Sequence, residues 1–185
     1  GPALNITGNG RRDGTRYQAR VGADPKERGI DLARPLFVET YGERTKKEGL
    51  VQVDAQRGGT RVIAWEDAKI DFRRARDAEV WAYTRQTFVR FPDWYAADAN
   101  LANERRLTDG NPQQSEVAWS AGARLIDYTC DETGAKMQGA LFLPAGYEEG
   151  KQYPTLTYIY ERLSQGFHAY AQPNATRYAN PSVYT

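Results

Sequence analysis

The sequence predicts a mainly β chain, and three observations carry that expectation. Runs rich in β-branched and aromatic residues recur at close spacing. Gly, Asp and Asn turn signals separate them, as at Gly58-Gly59 and Asp131-Glu132-Thr133-Gly134. No amphipathic period of 3.6 residues fills the gaps. Twelve Tyr and four Trp against a single Met and a single Cys suit the same class, because aromatic rings pack well on a pleated face.

Taken in order, Pro35-Leu36-Phe37-Val38-Glu39-Thr40 reads as extended, and Gly49-Leu50-Val51-Gln52-Val53-Asp54 alternates apolar and polar. Thr60-Arg61-Val62-Ile63-Ala64-Trp65 follows the double-glycine turn. Glu79-Val80-Trp81-Ala82-Tyr83-Thr84 and Asp93-Trp94-Tyr95-Ala96-Ala97-Asp98 complete the series. Short strands at this spacing indicate a sandwich, a barrel or a propeller. The segment Leu4-Asn5-Ile6-Thr7-Gly8-Asn9-Gly10 is echoed by Arg106-Leu107-Thr108-Asp109-Gly110-Asn111-Pro112 roughly a hundred positions later, a span that two propeller blades with insertions would fill. The basic stretches Arg44-Thr45-Lys46-Lys47 and Arg73-Arg74-Ala75-Arg76 are interleaved with acidic residues and read as solvated faces or blade edges.

The pattern changes after Pro112. A polar lead-in from Gln113 to Ile126 marks the expected domain crossing. Two hydrophobic strands follow, one ending at Asp127-Tyr128 and one covering Gly139-Ala140-Leu141-Phe142-Leu143, joined by the polar turn at residues 131–134. The turn-rich Pro144-Ala145-Gly146-Tyr147 stretch then feeds a third expected strand, Tyr153-Pro154-Thr155-Leu156-Thr157-Tyr158-Ile159-Tyr160, which opens into a loop at Glu161-Arg162.

Composition narrows the function classes. A formal net charge of +1 argues against a dedicated nucleic-acid or membrane surface. No apolar run reaches the roughly 20 residues of a membrane span, and the first residues lack the basic and apolar regions of a signal peptide. A mean hydropathy of -0.75 is low for a chain burying a large core and suits a piece of a larger protein with exposed sheets. Cys130 has no second Cys to pair with, which leaves the redox compartment open. His168 is the single histidine and has no clustered carboxylates beside it, so no metal site is expected.

Several stretches resemble the prolyl oligopeptidase family of serine peptidases. Arg106-Leu107-Thr108 looks like the end of a last propeller blade. Gly139-Ala140-Leu141-Phe142-Leu143-Pro144-Ala145-Gly146-Tyr147 resembles the family's second catalytic-domain strand, and Lys151-Gln152-Tyr153-Pro154 resembles the approach to its third. The resemblance implies a partial β-propeller of about two blades over residues 1–112. Residues 113–185 would be the first strands of an α/β-hydrolase domain, an antiparallel pair plus a third strand. Many relatives place a His-Gly-Gly-Pro-like loop after that strand; Tyr160-Glu161-Arg162-Leu163 stands here instead, which is similar to the dipeptidyl-peptidase-like branch.

By the same resemblance Tyr160 is the oxyanion-hole donor of the intact enzyme, its phenol aimed at the oxygen that becomes negative during acyl transfer. Glu161 and Arg162 follow it directly and are candidates for reading a substrate charge. Ala118-Trp119-Ser120-Ala121-Gly122 imitates a nucleophile elbow, with Asp131 and His168 following in hydrolase order. An elbow needs a helix after its serine, however, and Ala123-Arg124-Leu125-Ile126 reads as a strand. Ser120 is therefore rejected as a nucleophile, and His168 reads as a loop histidine packed against Phe167 or Tyr170.

The expected function is accordingly that of a fragment of a serine peptidase that cleaves short peptides by Ser-His-Asp acyl transfer. Alone it would be inactive, because the triad lies downstream. The implied partner is a peptide substrate, with no cofactor, and a homo-oligomer is compatible with it. The resemblance alone favours a periplasmic or secreted location over the cytoplasm. Two alternatives remain: an esterase or acyl hydrolase on the same scaffold, and a non-catalytic propeller that binds or scaffolds.

Overall fold

The computed structural model describes residues 3, 5–8, 10, 12–22, 26–160, 163–174 and 180–185. These residues form a mainly β structure of three sheets, none of them closed on itself. The first sheet holds β1 (Thr15–Val21), β2 (Leu36–Gly42), β3 (Glu48–Val53) and β4 (Thr60–Glu66) in that order. Each neighbouring pair in it runs antiparallel. The second sheet holds β5 (Lys69–Arg74), β6 (Val80–Thr87), β7 (Arg90–Asp98) and the short β8 (Arg105–Arg106), again in chain order. Consecutive strands lying side by side are what short connections impose, since a tight turn can join only antiparallel neighbours.

Period-two patterning explains which faces meet. On β6 Trp81 and Tyr83 are buried, on β7 Tyr95 and Ala97, and on β5 Ile70 and Phe72. Phe37 from β2 and Leu50 from β3 join them in one core. Trp81 sits edge-on to Phe37 at 5.0 Å, and Tyr83 stacks on Tyr95 at 5.7 Å. Such rings each bury large apolar area and gain about 0.5–1.5 kcal/mol per pair beyond it. The indole N–H of Trp81 donates to the Ala99 carbonyl at 3.1 Å, so its burial leaves no donor stranded.

β5 and β1 lie outside the strands the sequence pattern picks out. Ile70 and Phe72 do alternate with Lys69, Asp71 and Arg73, but the charges dominate the segment. The Arg73-Arg74 stretch closes β5, and the Arg74 guanidinium lies over the rings of Phe37 and Trp81, at 4.6 and 5.8 Å. The other basic stretch forms the β2–β3 turn, where Lys46 takes a positive φ of 61° and is buried, its ammonium donating to the Glu43 carbonyl at 2.6 Å.

The echo at Arg106-Leu107-Thr108 is a polar lock. Asp93 is buried and accepts from the Arg106 guanidinium and from the Thr108 hydroxyl, the latter at 2.9 Å. The same hydroxyl accepts the Trp94 N–H at 2.9 Å, so β7 is held to the segment after β8 by side chains as well as backbone.

The chain divides into two compact units. One comprises residues 1–85 and 93–109, the other 86–92 and 110–185. In the second unit β9 (Gly122–Thr129) and β10 (Lys136–Leu143) form an antiparallel hairpin in unbroken register from Lys136 opposite Thr129 to Leu143 opposite Gly122. The turn requires Gly134, whose φ is +67°. At the open end the Ser120 hydroxyl donates to the Leu143 carbonyl and accepts the Gly122 N–H at 3.2 Å. Single 3-10 turns at Pro112–Glu116 and Ser164–Gly166 and a short helix α1 (Pro181–Tyr184) complete the unit.

One expectation is corrected. Residues 151–160 form no strand. Leu156, Tyr158, Ile159 and Tyr160 are all exposed, and β9 and β10 pair with each other alone among the described residues. The composition of 153–160 suits a pleated face that is covered on both sides. A strand forms only where a neighbour takes its N–H and C=O groups, and no described strand does so here.

Candidate functional site

The second unit is organised around Tyr170. Its ring stacks on Trp119 with centroids 5.3 Å apart and planes 6° off parallel, and meets Phe91 edge-on at 5.4 Å. Its phenol accepts from Asn111 Nδ2 at 2.9 Å and donates to Gln114 Oε1 at 3.1 Å, while its backbone N–H donates to Gln86 Oε1 at 2.9 Å. Burial raises the pKa of the phenol, with the Asn111 hydrogen bond pulling the other way. Gln114 Nε2 in turn donates to the Val89 carbonyl at 2.9 Å, and Phe88 packs on Phe142 of β10 at 4.4 Å. The aromatic residues of this stretch are thus committed to packing.

Beside this cluster lies a cleft of about 300 Å³, walled by Trp119, Ser120, Pro173, Ser182 and Thr185. Its hydroxyls are engaged within the chain. Ser182 Oγ donates to Asn180 Oδ1 at 2.9 Å and Thr185 Oγ1 to the Pro181 carbonyl at 3.0 Å, while Ser120 serves the hairpin. The Trp119 indole N–H is buried without an acceptor among the described residues. An aromatic and proline-lined recess with spent hydroxyls can seat an apolar group. It offers no activated nucleophile.

The residues singled out in the sequence fall as follows. Tyr160 is described and 62% exposed, in the irregular stretch after β10. Glu161 and Arg162 lie outside the described residues. Ser120 precedes a strand rather than a helix, and its hydrogen bonds to Leu143 and Gly122 give it a fastening role in place of a nucleophile's. Asp131 sits in the hairpin turn. His168 is buried, its ring packed edge-on against Phe167 at 4.7 Å. Hydrogen bonds from the Thr133 side chain and backbone hold the Cys130 thiol below its ordinary pKa. No group of three or more His, Cys, Asp or Glu able to hold a metal occurs among the described residues. No described helix is long and apolar enough to cross a membrane.

Sequence reasoning passed over Tyr170 and the cleft. The signal available was the spacing of Trp119, Tyr170 and Pro173, which carries no period and belongs to segments far apart in the chain.

The class that the fold defines is a mainly β protein with consecutive four-stranded sheets followed by a hairpin. No family model matches the chain, and no curated protein is significantly similar to it. Among solved structures the chain is similar in fold to AtxE2 isopeptidase, both in its apo form and as a serine-to-alanine variant with Astexin3-dC4 bound. In each case the TM-score is 0.51 at 16% sequence identity, over 68% of this chain. The chain spans about a fifth of the length of these neighbours, 19% of each.

Proposed function

We propose that this chain is part of a longer peptide-bond hydrolase, contributing two propeller blades and the opening hairpin of an α/β-hydrolase domain. The observation that carries the reading is the order of its parts. Two four-stranded sheets of consecutive strands come first and an isolated hairpin follows, in a chain similar in fold to part of an isopeptidase. β1–β4 and β5–β8 are then successive blades, packed through Phe37, Leu50, Phe72 and Trp81. β9 and β10 begin the catalytic domain, and residues 153–160, irregular in this chain, become a strand only where the rest of that sheet pairs with them in the longer protein. Tyr160 ends that strand and donates its phenol proton in a hydrogen bond to the oxyanion of the tetrahedral intermediate. Ser-His-Asp chemistry is supplied from elsewhere in the protein, since Ser120 and His168 are engaged in packing. Glu161 and Arg162 follow Tyr160 directly in the sequence and read substrate charge.

The test is hydrolysis of linear and isopeptide-linked peptides and of a short-chain ester. The 185-residue chain is expected to be inactive on all of them, and the full gene product to cleave peptides. Turnover by the short chain, or an intact product that binds peptides without cleaving them, contradicts the reading. The second outcome would favour a binding module, which the spent hydroxyls of the cleft also suit. Preference for the ester would favour an acyl hydrolase.

A further inference from the structure

The first strand of the second sheet, β5, has β6 on one side and, among the described residues, no strand on the other. Such an edge leaves a row of outward N–H groups that must find acceptors or stay wet. Here two carboxylates from the first sheet take them. Glu48 of β3 accepts the Ile70 N–H at 2.8 Å, and Glu39 of β2 accepts the Phe72 N–H at 3.4 Å. Ile70 and Phe72 are two apart, so their N–H groups leave the same side of the strand. Glu39 and Glu48 sit diagonally across the β2–β3 ladder, where Glu39 faces Leu50 and Glu48 faces Tyr41. The two sheets of this unit are therefore joined by side chain to backbone hydrogen bonds as well as by the aromatic core.

We propose that Glu39 and Glu48 form a proton-sensitive latch between the two sheets, tighter when the pair has bound a proton than when both are charged. Burial pushes both carboxyls up from their usual range. Hydrogen bonds from Phe72 and Ile70 N–H act against that rise without cancelling it. The surrounding charges divide. On β5 Asp71 works against ionisation of both, Arg73 favours it at Glu39 and Lys69 at Glu48, and Glu39 itself opposes charge on Glu48. Opposite Glu48 on β4 stands Glu66, which is occupied by Arg85 at 2.9 Å. On β1, Arg16 and Arg20 are paired with Glu43 and Glu27. The carbonyl oxygen of a neutral carboxyl still accepts an N–H, so protonation removes the half-buried charge while keeping an acceptor.

The sign follows from folded pKa values above the unfolded 4.5. The folded state holds more protons in the window between the two, and the latch weakens as pH rises through it. Amide hydrogen exchange of the 185-residue chain reads this directly, with rates corrected for intrinsic pH dependence. Protection of the Ile70 and Phe72 amides should rise by more than about twofold between pH 7.5 and pH 5.0. In the E39Q/E48Q variant, which keeps an acceptor at each position, it should be high at both pH values. Protection in the native chain that is flat, or that falls on acidification, overturns the proposal. So does a pH dependence that persists in the variant, or a variant that fails to fold, because the uncharged acceptor should be better tolerated than the charged one.

Discussion

At the scale of single residues, the fit between sheets is tight enough that small changes have large effects. Gly49 lies buried in β3 against β4, and a Cβ there would run into the Ala64 carbonyl oxygen and the Trp65 ring. Gly49→Ala is expected to cost about 1–3 kcal/mol through overpacking, read as a lowered denaturant midpoint at unchanged slope. Ser120 makes the opposite kind of case, a residue whose apparent chemistry is fastening. Ser120→Ala leaves the Leu143 carbonyl one donor short and should destabilise by about 1 kcal/mol, with no effect on the hydrolytic rate of the intact protein. A fall in kcat without a fall in Tm would overturn the rejection of Ser120 as a catalytic residue. Tyr160→Phe should do the reverse. In the full gene product kcat should drop roughly 10²–10³-fold while KM and Tm hold, because under the proposed oxyanion role a transition-state donor alone is lost. A Phe variant with full kcat would make Tyr160 a packing residue.

At the scale of elements, the sequence was legible where one face of a strand is buried and obscure where charge covers it. Val80-Trp81-Ala82-Tyr83 alternates plainly, and Trp81 and Tyr83 are core residues. The β9–β10 hairpin was readable from its flanks and its Asp131–Gly134 turn. β5 was hidden because Ile70 and Phe72 alternate with Lys, Asp and Arg that serve the sheet edge. Residues 153–160 misled in the other direction, since their Thr, Tyr and Ile content describes what a covered strand wants while pairing depends on neighbours the segment does not specify. Tyr160 was singled out by resemblance, whereas the Trp119–Tyr170 stack joins segments that no local pattern connects.

The loop between β7 and β8 carries a further prediction at this scale. Glu104 takes hydrogen bonds from Arg85 at 2.6 and 3.0 Å and from the Tyr83 phenol, and Arg85 also pairs with Glu66. Burial pushes the Glu104 carboxyl up, but the bonds from Arg85 and Tyr83 outweigh it and hold it below 4.5. A lowered folded pKa contributes stability above the unfolded value and loses it as pH falls through the folded one. Tm should therefore decline below about pH 4.5. Arg85→Met should cost about 1 kcal/mol at pH 7, because the two carboxylates it leaves are partly solvated and Glu104 keeps the Tyr83 phenol, and it should flatten that acid limb. An unchanged acid limb in the variant would mean other groups set it.

At the scale of the whole molecule, each part depends on what it packs against. The aromatic core joins two sheets that neither could bury alone. The exposed Leu156, Tyr158, Ile159 and Tyr160 form the kind of apolar stretch that invites association. The proposed function places these parts in a peptide-bond hydrolase whose nucleophile is not on this chain. Mass-spectrometric mapping of a fluorophosphonate probe on the full gene product tests that most directly. The expected result is a single labelled serine outside residues 1–185, with Ser115, Ser120, Ser164 and Ser182 unmodified. Label on Ser120 or Ser164, or a protein that takes no label while still hydrolysing peptides, would contradict it.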